Sequence, residues 1–138
     1  MKTAQEAYWE ACRGINIKEN EKIVINSKNA TYCYCFANTI PGANIQELEN
    51  IVLKYGDPLD CYSFVKYVSD SNIKSHEQLI IKSKNIYYCY LLAGNVYKSN
   101  KEELFKAVLE SGDIDYINLF LEEIIFDKEK FTNYLLFI

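Results

Sequence analysis

The chain has little of what enzyme active sites and metal centres are usually built from. It contains one histidine, and its five cysteines include no C-x-x-C pair, although closely spaced cysteines and histidines are the usual signature of a metal site. Its five glycines form no phosphate-binding loop, and no motif places a nucleophile beside a general base. We therefore expect a non-enzymatic protein with no catalytic residue, no metal site and no cofactor.

Clustered positive charge and long apolar runs are also missing. The net charge is −4 with lysine and arginine scattered singly, whereas binding to phosphate backbones needs clustered cations. No apolar run approaches the ~18 residues of a membrane span, and no basic-then-apolar leader opens the chain. The odd number of cysteines is typical of small buried hydrophobes in a reducing compartment. These features predict a cytoplasmic protein that binds neither membranes nor, directly, nucleic acid.

What the chain does have is a pattern that recurs every 28 residues. One position of the pattern is large and apolar, as Phe36, Phe64, Leu92 and Phe120. A second position is asparagine or aspartate, as Asn29, Asp57, Asn85 and Asp113, and a third is asparagine, as Asn16, Asn44, Asn72 and Asn100. A fixed period in this range is typical of stacked supersecondary units that cannot bury their apolar faces alone.

Each unit reads as two short helices joined by a turn. Asp57 followed by Pro58 is typical of a helix start, because aspartate caps the first amides and proline lacks only an amide that would be unpaired there. Apolar residues follow at helical spacing, as Cys61, Phe64, Val65 and Val68. A second helix is predicted to start with a capping box, as in Asn16 with Glu19, Asn44 with Glu47, and Asn100 with Glu103. Gly56 and Gly112 are predicted to end it in a left-handed conformation.

The pattern predicts an all-α fold, a solenoid of about five stacked helical hairpins with about ten helices. The repeats span residues 1–28, 29–56, 57–84, 85–112 and 113–138, within a single domain of residues 1–138. Cys33, Cys61 and Cys89 recur at one position and are interpreted as core residues. His76 falls where Leu48 and Leu104 lie, so we interpret it as a helix residue at the margin of the core.

Residues 36–45 read FANTIPGANI and are followed by Leu48 and Glu49. This segment resembles short helical-hairpin repeats of uncharacterised proteins from low-GC bacteria and their phages. The resemblance extends over the whole chain and concerns structure, so it implies a tandem 28-residue helical-hairpin fold and transfers no catalytic residue.

A ladder of tyrosines, Tyr34, Tyr62 and Tyr90, occurs once per repeat. Each lies two residues before the large apolar position, about 200° away around the helix. Two interpretations are open. The tyrosines line an exposed face and anchor a protein partner, since tyrosine supplies contact area and a hydroxyl at low entropy cost, or they pack between adjacent repeats with only their hydroxyls exposed.

The C-terminal part offers two further candidate contacts. Residues 99–138 carry four basic and nine acidic residues, and Glu122 and Glu123 could meet a basic partner surface, although such clusters usually serve solubility. The chain ends in an apolar segment that includes Leu135 and Ile138. If these residues face outward, they bind a partner or a second copy and give a homodimer. If they face inward, they close the core.

From these features we predict a protein–protein interaction module that uses the surface of an α-solenoid, with a partner whose identity the sequence leaves open. The candidate partner-binding residues are Tyr34, Tyr62, Tyr90, Glu122, Glu123, Leu135 and Ile138. The alternative is a small phage-type inhibitor of a host defence nuclease, similar to an anti-CRISPR protein, which fits the size, the resemblance and the acidic end.

Overall fold

The structure, a computed structural model, describes residues 1–124 of the chain. Every regular element among them is a helix, which confirms the all-α prediction. The helices are α1 (Ala4–Cys12), α2 (Ile17–Asn26), α3 (Ala30–Thr39), α4 (Ile45–Tyr55), α5 (Pro58–Tyr67), α6 (Ile73–Ser83), α7 (Ile86–Asn95), α8 (Lys101–Ser111) and α9 (Ile114–Glu123). The tenth predicted helix and the candidate residues Leu135 and Ile138 lie outside the described residues.

Contacts between helices divide the chain into two compact units, Met1–Asn72 and a second unit that begins at Ile73. In the first unit α1 packs on α2 and α3 packs on α4, while α5 lies against α3 and α4. In the second unit α7 packs against α6, α8 and α9. The first, second and fourth predicted hairpins are therefore packed helix pairs. The boundary falls inside the third predicted repeat, between α5 and α6.

The large apolar position of the repeat forms the core, as its spacing predicted. Its four residues Phe36, Phe64, Leu92 and Phe120 are all completely buried. Cys33, Cys61 and Cys89 are buried beside them, which confirms their interpretation as core residues. Side chains that recur every 28 residues thus occupy equivalent places in the two units.

The helix starts follow the predicted capping chemistry in most repeats. The side chains of Asn29, Asp57, Asn85 and Asp113 each accept a hydrogen bond from the backbone amide three residues later. Asn44 and Asn100 cap α4 and α8 in the same way. The prediction was wrong for Asn16, which is left-handed and makes no side-chain cap.

Glutamates from the preceding repeat replace the second half of the predicted capping boxes. The backbone amides of Asn44 and Asn100 donate to the carboxylates of Glu21 and Glu77, at 2.8 and 2.7 Å. The amide of Asn72 donates to Glu49 at 2.6 Å. The three acceptors, Glu21, Glu49 and Glu77, recur at the repeat interval and are only 7, 7 and 3% exposed. Glu21 thus holds the start of α4 and Glu77 the start of α8, each within its own unit. Glu49 binds the amide of Asn72, the last residue of the first unit.

The helix ends use the left-handed conformation at a different set of residues from the one predicted. Gly112 is left-handed as expected, with φ of 73°. Gly56 is not, because its φ is −77°, and its need for glycine is steric: an added Cβ would lie 2.5 Å from the carbonyl oxygen of Val52. Lys28 and Lys84 take the left-handed conformation in the corresponding positions of their repeats.

Candidate functional site

The tyrosine ladder packs inward more than it faces solvent. Tyr62 on α5 is only 7% exposed. Tyr34 on α3 is half-buried, and its ring centroid lies 6.4 Å from that of Phe64. Burial raises the pKa of the Tyr34 hydroxyl, as expected for a phenol whose charged form would lose solvation. Packing between repeats, the second of the two interpretations, is the arrangement that the structure shows for these two residues.

The third tyrosine of the ladder is engaged with another candidate residue. The Tyr90 hydroxyl donates a hydrogen bond to the Glu123 carboxylate on α9, and the Tyr90 ring meets the Tyr116 ring edge-on at 5.9 Å. The bond to Glu123 raises the pKa of Tyr90, because losing the hydroxyl proton would leave two negative charges in contact. Glu122 and Glu123 are both exposed, so the hydrogen bond to Tyr90 lies at the surface. The structure thus brings two predicted binding residues, Tyr90 and Glu123, into contact with each other.

Tyr67, at the end of α5, is an exposed tyrosine of the first unit. It is 55% exposed, although sequence analysis did not select it. The Lys66 ammonium lies 5.2 Å from the centroid of the Tyr67 ring and 5.6 Å from that of Tyr62. Hydrogen bonding to Tyr62, and then to Tyr67, raises the pKa of Lys66. One cation therefore bridges the buried tyrosine and the exposed one.

A groove of about 370 Å³ lies beside Tyr67, between the turn that follows α3 and the turn that follows α5. Its floor includes Ile40 and Val68, each 6% exposed. Gly42 and Asp70, both left-handed, shape the two turns, and the Asp70 residue adds a carboxylate to the lining. We call this feature, with Tyr67 at its rim, the Tyr67 groove.

The chemistry around the Tyr67 groove suits binding. The Tyr67 ring and the Asp70 carboxylate line it together with the apolar Ile40 and Val68, and binding sites commonly combine apolar lining with a few polar groups. Lys66 does not line the groove, but its ammonium lies beside the Tyr67 ring. His76 is completely buried in α6 of the second unit, deeper than the core margin predicted for it. Within residues 1–124 no cluster of three histidine, cysteine or acidic side chains could hold a metal ion.

The thiols of the core are poor nucleophiles. Burial raises the pKa of Cys33 and Cys61 to about 12 and that of Cys89 to about 11. The thiolate, which is the reactive form, is therefore scarce at neutral pH. These cysteines fill space in the core.

The sequence did contain a signal for Tyr67, although of a different kind. Its repeat position holds Thr39 and Asn95 in neighbouring repeats, so Tyr67 is an aromatic residue that does not recur. Recurrence at the repeat interval identifies core positions and not single residues that depart from the pattern. A large exposed aromatic residue at a position that is otherwise small or polar indicates a role other than packing.

Comparison with protein families, with characterised proteins and with solved structures finds no significant similarity to this chain. No helix within residues 1–124 combines the length and apolar character needed to cross a membrane.

Proposed function

We propose that the chain is a non-enzymatic module of stacked helical hairpins that binds another protein through the Tyr67 groove. The observation that carries this proposal is an exposed tyrosine fixed at the rim of a groove whose floor is apolar. Tyrosine is enriched among the residues that dominate protein interfaces. It has few rotatable bonds and so loses little entropy on binding.

The surroundings of Tyr67 support a binding role because they restrain the ring before a partner arrives. Lys66 lies over both Tyr67 and Tyr62, and Tyr62 is anchored in the core. A preorganised side chain has less freedom to lose in the complex. In this arrangement Tyr34 and Tyr62 support the contact residue, and Tyr67 replaces them as the anchor.

The groove also indicates what the partner presents. Its volume of about 370 Å³ is at the lower end of the ~300–1,000 Å³ that binding pockets occupy. An apolar side chain of the partner would cover Ile40 and Val68, while a lysine or arginine would reach Asp70. We therefore propose that the partner contributes an apolar residue with a basic neighbour.

Site-specific photo-crosslinking tests the proposal. A photo-reactive phenylalanine analogue is introduced in place of Tyr67, and in a second variant in place of Tyr55. Tyr55 is a matched control because it is 43% exposed in the same unit and has Lys28 and Lys54 near its ring, at 5.7 and 5.4 Å, but does not line the groove.

We expect irradiation in lysate of the native host to attach one protein at position 67 and not at position 55. Equal crosslinking at both positions, or none at position 67, would contradict the proposal. The nuclease-inhibitor alternative is the same activity with a particular partner, so the identity of the crosslinked protein tests it in the same experiment.

A further inference from the structure

A second groove lies in the second unit, and the proposed protein-binding site does not use it. It has a volume of about 440 Å³ and lies between α6, the start of α7 and the end of α8. Its apolar lining comes from Ile81, Ile86 and Ala107, and its charged lining from Lys82, Lys84 and Glu110. The three apolar residues are all partly exposed, so a surface suited to an apolar ligand is accessible there.

The repeat itself shows why this groove is open. Ala107 occupies the position that holds Ile23, Ile51 and Leu79 in the other repeats. In the first unit α2 and α4 are in contact, and Ile51 is half-buried on α4. The fourth repeat has the smallest side chain of the series at this position. An alanine in place of a branched residue leaves unfilled space unless the surroundings collapse.

The charges around the groove favour an anion. Two lysines and one glutamate line it, and neither Lys82 nor Lys84 makes an ion pair with a described residue. Their ammonium groups are therefore available to a ligand. A groove that combines these positive charges with an apolar floor suits an amphiphilic molecule with one acidic end.

We propose that this groove binds a small organic anion with an apolar tail, of the medium-chain carboxylate type. The tail lies on Ile81, Ile86 and Ala107, and the carboxylate lies between Lys82 and Lys84. The volume of about 440 Å³ is within the range of small-molecule pockets. Nothing in this proposal depends on the Tyr67 groove, which belongs to the other unit.

Titration of the full-length chain with decanoate, and separately with decanol, tests the proposal. The readout is the chemical shift of isotopically labelled isoleucine methyl groups at Ile81 and Ile86. We expect saturable shifts at both methyls. Decanoate should bind roughly tenfold more tightly than decanol, because only its carboxylate can pair with the two exposed lysines.

Two variants separate the apolar and ionic contributions. Ala107→Ile restores the branched residue of the other repeats, and we expect it to abolish binding of both probes while the circular dichroism spectrum stays unchanged. Ala107→Val is the smaller substitution if isoleucine distorts α8. Lys82→Gln combined with Lys84→Gln should reduce decanoate affinity to that of decanol, whereas Lys28→Gln with Lys54→Gln in the first unit should leave it unchanged.

The proposal is overturned if decanoate causes no saturable shift at Ile81 and Ile86. It is also overturned if both folded Ala107 variants bind decanoate as tightly as the wild type. Binding that is equal for decanoate and decanol would overturn the assignment of the anion to Lys82 and Lys84.

Discussion

Removing the carboxylate of Glu21 should destabilise the first unit by much more than an ordinary surface substitution does. Glu21 is 7% exposed and accepts a hydrogen bond from the Asn44 amide at 2.8 Å. Hydrogen bonds to charged groups contribute about 1.5–3 kcal/mol, and the loss of the partner leaves the amide without its acceptor. We expect Glu21→Ala to lower the free energy of unfolding by about 2–3 kcal/mol, which is a large share of the ~5–15 kcal/mol of a typical domain.

Two further variants show whether the hydrogen bond is the cause. Glu21→Gln keeps an oxygen acceptor of the same reach but removes the charge, so we expect a loss of about 1 kcal/mol. Lys22→Ala changes an exposed neighbour on the same helix and should stay within about 0.5 kcal/mol of the wild type.

Urea unfolding followed by circular dichroism measures these differences, and hydrogen exchange in the native state reports on the Asn44 amide itself. Faster exchange at Asn44 should accompany the loss of stability in Glu21→Ala. The reasoning is refuted if Glu21→Ala is as stable as Lys22→Ala and the protection of the Asn44 amide does not change.

Three other predictions follow from the same structure. Lys84 is left-handed with φ of 60°, a conformation that glycine adopts without strain. Lys84→Gly should therefore raise the free energy of unfolding by about 0.5–1 kcal/mol, measured by urea unfolding, whereas Lys84→Ala should not raise it. Burial, and then the Glu103 carboxylate, hold the pKa of Glu77 above its ordinary value of 4.5. The contribution of Glu77 to the free energy of unfolding is therefore fully present below its ordinary pKa. The stability of the wild type relative to Glu77→Gln should fall as the pH rises through the raised pKa. Mass spectrometry of the native protein after brief alkylation should find the exposed Cys12 modified well before the buried Cys89, whose pKa is about 11; equal rates would contradict this.

The helices and the core were predictable because they depend on local chemistry that the repeat displays four times over. An asparagine or aspartate that caps a helix must be followed by apolar residues at helical spacing, and Phe36 and Phe64 fill equivalent core positions for that reason. The left-handed residues were predicted less well. Lysine gives no sequence signal for that conformation, and Gly56 is required by the nearby Val52 carbonyl, which only the folded backbone reveals.

The glutamates that hold the helix starts were missed for a physical reason. Charged residues are seldom buried unless they are paired, so Glu21 and Glu49 read as solvated residues of an amphipathic helix. Their partner is a backbone amide 23 residues further along the chain, and a backbone group leaves no trace in the sequence. The recurrence of Glu21, Glu49 and Glu77 at the repeat interval was the signal that could have identified them.

The predicted tyrosine face differed from the observed one because neighbouring helices cover α5 on more than one side. An angle of about 200° from the core position suggests exposure on an isolated helix, but Tyr62 on α5 is covered. The exposed position at the end of that helix belongs to Tyr67, which no periodic argument selects.

The most direct test of the account uses the partner that photo-crosslinking identifies. The affinity of this purified partner for variants of the Tyr67 groove is measured by isothermal titration calorimetry. We predict that Tyr67→Ala raises the dissociation constant at least about tenfold, as expected for a residue at the centre of an interface. Tyr55→Ala should change the dissociation constant by less than about twofold. A correctly folded Tyr67→Ala variant that binds the partner as tightly as the wild type would contradict the assignment of protein binding to this groove.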